Sequence, residues 1–555
     1  MNQNDSQNFM DPKTLVAIAL SLAVFLGWSF YMNKKYPNRL KKDSQQITTQ
    51  TNKTSQPQNA QISAAEKDFK TNYNPSEDAV SYTEKDESLF EYNNEIVHFK
   101  LSSKGMGFRI FELKNYTERD NSPKIIGYSA GFLPMETNVF DNSRPLDFEI
   151  TQKDNHFEGV AQYKGMIIKK SMVINHNTYA IDTKIEVSNV NESLKGLLTY
   201  LVEREHQSGG GGLFTADQYN IQDYFVLSKQ DKEFLVVGQK DELYKAPTSQ
   251  SKVTYSGIEV VSLGSQYFAQ AIYNTANVFP EFVPFVDKGS QSALGILQYP
   301  ILNRADTYTV TYTTYMGPKD VDILGKTNDK LTEIVNLGFF GSISKILMMG
   351  LQMFHKITGN WGLAIILLTL VVRLLMTPII LPSYRNMKKM SALAPHMKRL
   401  QEQYKDDPQQ RGLAVMALYK EHKVNPLGGC LPMFLQLPIF FALFQVLGKS
   451  VDLYQAPFYL WIKDLSVIDP YYVFPVLSAI VMFIQMKTNP SNDTMQPAQK
   501  KMMMIMPVFM VIFFIRMPAG LNIYMFVSTL FGFIQQHYFI NEKTKDNKAK
   551  VVALN

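Results

Sequence analysis

The chain has 555 residues, more than one hydrophobic core usually holds, so two or three structural units are expected. Its 56 Lys and Arg against 50 Asp and Glu leave a formal charge of +6, and no basic block interleaved with aromatics marks a nucleic-acid surface. The single cysteine, Cys430, excludes an intrachain disulfide, a cysteine zinc finger and a CxxC redox pair.

Thr14 to Met32 is a charge-free run of 19 residues, long enough to span a bilayer. A cleavable signal peptide is the alternative. The preceding segment carries Asp5 and Asp11 against Lys13 alone, and no small-x-small site follows, which favours a retained signal anchor over residues 1–42. Residues 43–89 are rich in Ser, Thr, Gln, Asn and Lys and read as a disordered linker. From Asn93 to Lys319 the apolar period becomes two. Val97, Phe99 and Leu101 alternate with His98, Lys100 and Ser102; Ile181, Ile185 and Val187 alternate with polar neighbours; Thr307 to Tyr315 is a run of Thr, Tyr and Val. An antiparallel β-sandwich is expected over 90–325.

Helical spacing follows. Phe340, Ile343, Leu347, Leu351 and Phe354 form one stripe opposite Lys345, Gln352 and Lys356. Residues 330–357 are therefore expected to hold an amphipathic helix, lying in the headgroup region or packed on the sandwich. Five apolar spans come next, at about Trp361–Leu381, Cys430–Leu447, Tyr471–Met486, Met502–Ile515 and Leu521–Ile540, giving six in all. Between the first two of these, residues 383–427 read as a helical hairpin. Met390, Ala394, Met397 and Leu400 share a side of its first arm, Asp406-Asp407-Pro408 breaks it, and Leu413, Met416 and Tyr419 recur in the second. The methionines serve either the hairpin core or a client-binding surface.

Residues 383–428 carry nine Lys and Arg, whereas 448–470 carry two and the tail at 542–555 is again lysine-rich. The positive-inside rule places the hairpin, the tail and the N-terminus in the cytoplasm and the β domain outside. Lys34, Lys35, Arg39, Lys41 and Lys42, after the first span, point the other way; the shorter, mutually consistent later loops outweigh them.

Arg373 is the most informative residue. It lies mid-span, where an Arg costs about 2.5–3.5 kcal/mol on insertion scales, and residues 361–382 contain no Asp or Glu. Thr369 and Thr377, at i−4 and i+4, extend it into a polar stripe. Gln436 lies at a similar depth in the next span, and Tyr524 and Ser528 form a polar strip in the last. A wet cavity open to the cytoplasm reconciles these residues with lipid; an Arg that snorkels to the headgroups is the alternative. None of the five spans contains a carboxylate, which argues against a proton-coupled transporter. No GxxxxGK[ST] occurs, and Gly209 to Gly212 reads as a loop.

Met416-Ala-Leu-Tyr-Lys420, Lys423-Val-Asn-Pro-Leu-Gly-Gly-Cys430, Gln436-Leu-Pro-Ile-Phe440, Ala456-Pro-Phe458 with Trp461, Asp469-Pro-Tyr-Tyr472, Met506-Pro507, Pro518-Ala-Gly-Leu521 and Gln535-Gln536 run in order along the chain. Together they closely resemble the YidC insertases, relatives of the Oxa and Albino proteins. The resemblance implies a membrane all-α core of five helices plus a signal anchor, carried with an external all-β supersandwich of the Gram-negative type. It implies a core at 358–541 around a hydrophilic groove, with Arg373, Thr369 and Gln436 as groove positions, to which the polar strip of Tyr524 and Ser528 is added as a further groove candidate. Met390, Met397, Asp406 and Asp407 would belong to the cytoplasmic hairpin. The implied role is membrane-protein insertion and chaperoning in the bacterial inner membrane, without a cofactor, a metal or enzymatic activity. The implied partners are nascent membrane proteins, the Sec translocon, the ribosome, the signal recognition particle receptor and lipids. Tyr524-Met525 departs from relatives with two successive tyrosines. A carbohydrate enzyme using His98, His156, His176 or His206 and a channel or transporter are the rival classes.

Overall fold

The fold is a computed structural model, which describes residues 86–127, 132–140, 145–204, 222–229, 232–236, 254–275, 278–287, 292–301, 306–405, 407–422, 424, 431–489 and 497–552. The first span and the linker up to residue 85 lie outside the described residues, as do His206, Gly209–Gly212, Asp406 and Cys430.

Three antiparallel sheets build the β domain. The first holds β1 (Leu89–Asn93), β2 (Val97–Ser102), β3 (Phe108–Thr117) and β4 (Pro123–Ile125) in that order. β1 thus begins inside the stretch read as linker. The second holds β5 (Thr137–Val139), β10 (Gly196–Arg204), β15 (Glu281–Asp287) and β16 (Ser292–Pro300) in the order β15-β16-β10-β5. Nine strands form the third: β6 (Glu149–Lys153), β7 (His156–Tyr163), β8 (Met166–Ile174), β9 (Ala180–Ser188), β11 (Asp223–Ser228), β12 (Lys232–Val236), β13 (Ile258–Gly264), β14 (Phe268–Asn274) and β17 (Thr307–Pro318). Their order is β12-β11-β13-β14-β17-β9-β8-β7-β6.

The alternation in sequence becomes two-faced strands. Val97, Phe99 and Leu101 are buried, as are Ile181, Ile185 and Val187, while Tyr308, Val310 and Tyr312 point inward between outward threonines. A lysine lies inside this core. The Lys170 ammonium, fully buried on β8, donates to the carbonyls of Met135 at 2.7 Å, Met106 at 3.0 Å and Gly105 at 3.2 Å. Burial pulls its pKa down to about 7, with the Glu136 carboxylate acting the other way. Three acceptors match the three N–H bonds of an ammonium, so the site is built for the charged form.

The chain then turns helical. α1 (Val321–Thr327) is capped by Asp320, whose carboxylate accepts from the Asp322 and Ile323 amides. α2 (Gly341–Thr358) buries Ser344, Leu347, Met348 and Leu351 and ends at left-handed Gly359. Its packing partners are α3 (Trp361–Ala392) and α6 (Leu431–Lys449), against which Gly350 approaches Leu368 and the Ser344 hydroxyl donates to the Ala442 carbonyl. The expected stripe is thereby split: Leu347 and Leu351 are buried, whereas Ile343 is exposed. Ile346, Met349, Met353 and Ile357 form a second, exposed apolar face.

α3 does not end at Leu381. It runs through Pro378 and Pro382 to Ala392, so the span and the start of the first hairpin arm are one helix. α4 (Ala394–Gln403) and α5 (Pro408–Glu421) complete the hairpin. Its core is Met390, Leu393, Met397, Leu418, Tyr419 and Val424, which puts both named methionines inside. Leu413 and Met416, expected there, are 62% and 51% exposed; Val415 and Leu418 take their place beside Tyr419. Asp407 caps α5, accepting from the Gln409 and Gln410 amides. Leu418→Ala is expected to weaken the hairpin by about 2 kcal/mol, and Leu413→Ala by almost nothing. Hydrogen exchange of the α4 and α5 amides in the full chain distinguishes the two; equal effects would contradict this packing.

The remaining helices are α7 (Val473–Lys487), α8 (Pro497–Phe514) and α9 (Ala519–Val552). α9 carries helical backbone well into the segment read as a tail. Among the described residues α3 alone is long and apolar enough to cross a bilayer by itself, while α6, α7 and α8 hold shorter apolar stretches.

Candidate functional site

α3 and α9 lie side by side, and their facing polar residues form a continuous seam. On α9 the spacing Tyr524, Ser528, Gly532 and Gln535 places four positions on one face. Arg373 of α3 meets this face. Its Nε and Nη2 both donate to the Ser528 hydroxyl, at 2.9 and 2.5 Å. One turn along, the Gln535 amide donates to the Thr377 hydroxyl, which in turn donates to the Arg373 carbonyl at 2.8 Å. Tyr384 directs its hydroxyl at the Gly532 carbonyl, 3.5 Å away. From α6, Gln436 hydrogen-bonds Tyr524 and closes the seam at its upper end.

Four of the five groove positions therefore come together in two bonded pairs, Arg373–Ser528 and Gln436–Tyr524. Thr369 stands apart: it is 2% exposed and its hydroxyl donates to the Ile365 carbonyl of its own helix. Met525 turns away from the seam toward a small crevice between α7, α8 and α9 lined by Ser478, Met482, Met510 and Thr529. Sequence reading passed over Gly532, Gln535 and Tyr384 as seam residues. The i, i+4, i+8, i+11 spacing from Tyr524 was the available signal for the first two.

The connection from α6 to α7 forms a hydrogen-bonded knot just beyond the Tyr524 end of the seam. Asp469, fully buried, accepts from the Trp461 indole and from the Tyr471 and Phe474 amides. Asp464 accepts from the amides of Gln455 and Ser466. Gly520 and Ala519 of α9 donate to Leu465 and Val467, tying the knot to that helix. Phe458 lies over Gly362 so closely that a Cβ there would overlap its ring. The β domain rests on the same loop: the Tyr454 hydroxyl and the Gln455 amide donate to Thr117 and Glu118, and the Tyr454 ring packs on Tyr267 and Phe268.

The β-domain histidines among the described residues do not converge. His98 bridges Glu91 and Glu112, which hold its imidazole above the ordinary pKa; His176 meets Tyr92; His156 lies 3.7 Å from Glu158.

Comparison with known proteins decides the family. Residues 90–349 match the YidC periplasmic domain, and residues 353–548 match the 60Kd inner membrane protein family. A membrane protein insertase YidC from Geotalea daltonii is 30% identical over 554 residues, covering 95% of this chain and 99% of that relative. The chain belongs to the YidC family of membrane protein insertases. The Shewanella woodyi member is 37% identical over 381 residues, covering 62% of this chain and 70% of its own length. A crystal structure of an active YidC insertase with its first transmembrane domain resolved is similar at 19% identity and a TM-score of 0.37, covering 82% of this chain and 93% of that one. Family membership makes this a YidC-type inner-membrane insertase with a periplasmic domain, and membrane proteins its clients.

Proposed function

We propose that the α3–α9 seam is the working groove of the insertase, open to the cytoplasm and shut outside by the knot of residues 450–472. The observation that carries this reading is the pairing of Arg373 with a hydroxyl rather than a carboxylate, which leaves its charge uncompensated. A cation kept at that cost in a spanning helix has a use: it holds water and attracts the polar, acidic tail of a client. The groove lowers the barrier for the tail. The client's apolar segment supplies the driving force, at about 25 cal/mol per Å² removed from water. No covalent chemistry is involved.

The full topology has six spans, with both termini and the 383–427 hairpin cytoplasmic and residues 90–325 periplasmic. Residues 1–42 form the anchor, 43–89 the linker, 330–357 the interfacial segment and 358–541 the core. The exposed face of α2, with Ile346, Met349, Met353 and Ile357, suits the headgroup boundary. Met390, Met397, Asp406 and Asp407 shape the hairpin, where clients arrive from the ribosome or through the signal recognition particle receptor. Insertion proceeds alone or beside the Sec translocon.

Two experiments test this. Protease added to spheroplasts should digest 90–325 and spare 383–428; the reverse pattern contradicts the orientation. In proteoliposomes, a chain lacking most of the β domain but retaining the first span and α2 should keep substantial insertion activity. Complete loss from a stably folded deletion would move the function into the external domain.

A further inference from the structure

The guanidinium of Arg373 is held in one orientation by two residues of α9. A hydroxyl oxygen has two lone pairs, and on Ser528 both are spent on the side edge of the guanidinium, through Nε and Nη2. Ser528 is 2% exposed, so its hydroxyl does not exchange freely with water. One turn further, Gly532 lies against the flat group: a Cβ there would stand 3.6 Å from Nη1, 3.8 Å from Nη2 and 3.9 Å from Cζ. An alanine methyl would touch it at ordinary contact distance, whereas a longer side chain would enter its space. Bound along its side edge and backed by Gly532, the guanidinium has its end edge, Nη1 and the second hydrogen of Nη2, left to donate. That edge matches a carboxylate or a pair of carbonyls, and a planar fork reads it only when its direction is fixed.

We propose that Ser528 and Gly532 are positioning residues for insertion, a seat that presents the end edge of Arg373 to the client and so sets the preference for acidic tails. The proposal rests on the reading of Arg373 as the client-facing cation. Lysine at 373 would carry the charge without the fork, so the seat distinguishes arginine from a mere positive charge.

The test uses the full-length chain in proteoliposomes and synthetic clients that differ only in tail charge. The readout is the ratio of insertion rates for acidic and neutral tails, and protease resistance of the purified full-length chain reports folding. Ser528→Thr and Gly532→Ala should keep the wild-type ratio. Ser528→Asp sets a carboxylate on the side edge, cancels the charge and should lower the ratio about tenfold, as Arg373→Ala does. Ser528→Ala should lower it less, and should change nothing further once Arg373 is alanine, because the residue acts through Arg373. Gly532→Leu should lower it while Gly532→Ala does not. A wild-type ratio in Ser528→Asp, alongside a collapsed ratio in Arg373→Ala, would overturn the seat and leave the groove intact. A wild-type ratio in Arg373→Ala would overturn both.

Discussion

Arg373→Ala is expected to slow insertion of clients with acidic external tails by about tenfold or more, and Arg373→Glu to slow it further. Two unit charges a few ångströms apart in a partly dry groove interact by several kcal/mol, so even a screened fraction of that attraction exceeds a tenfold rate effect. Glutamate at this position replaces attraction with repulsion. Arg373→Lys preserves the charge and should retain most of the activity, losing the part that depends on the fork held by Ser528. Clients with neutral tails and strongly apolar spans should be nearly indifferent, because transfer of the span carries them. Insertion kinetics at matched expression decide the matter. If alanine, glutamate and wild type perform alike on acidic tails, Arg373 has no part in client attraction and the electrostatic mechanism fails.

The largest expected effect on stability lies in the β domain, at Lys170. Its ammonium satisfies three buried carbonyls from two separate segments, Gly105 and Met106 on one and Met135 on the other. Lys170→Met keeps most of the volume and orphans the Met106 and Met135 carbonyls, each costing about 1–3 kcal/mol when left unsatisfied, while Gly105 keeps its bond from the Thr137 amide. Partial relaxation should leave a net loss of about 3–5 kcal/mol, a large share of the stability of an ordinary domain. Lys184→Met is the control, since the Lys184–Glu186 pair is on the surface and its loss should cost less than about 1 kcal/mol. Thermally induced protease sensitivity of the β domain in the full chain reads both. An unchanged transition in Lys170→Met would mean that water or a rearranged turn replaces the ammonium.

Much of this architecture is legible in the residues alone, because the information is local. A period of two in Val97, Phe99 and Leu101 specifies a strand with one buried face, and β2, β9 and the first half of β17 follow that pattern. A lone arginine in a carboxylate-free span announces itself by its cost. The i, i+4 relation of Tyr524 and Ser528 places them on one face of α9 whatever that helix packs against.

What lay beyond the sequence is the choice of partner. Spacing puts Ser528, Gly532 and Gln535 on a face, but only the docking of α9 on α3 turns that face into a seat for Arg373 and a partner for Thr377. Thr369 shares the stripe of Arg373 and yet spends its hydroxyl on its own backbone. The apolar run stops near Leu381, but the helix continues through Pro378 and Pro382 to Ala392. In the hairpin, Leu413 and Leu418 are equally apolar in sequence, and the crossing of α4 with α5 buries one and exposes the other. α2 makes the reason plainest. Leu347 and Leu351 pack on the core while Ile346 and Met349 face outward, and hydrophobicity cannot separate the two faces where lipid is as apolar as a neighbouring helix. Periodicity determines which residues share a face; close packing of one face against another, with its glycines, hydroxyls and buried carbonyls, decides what that face does.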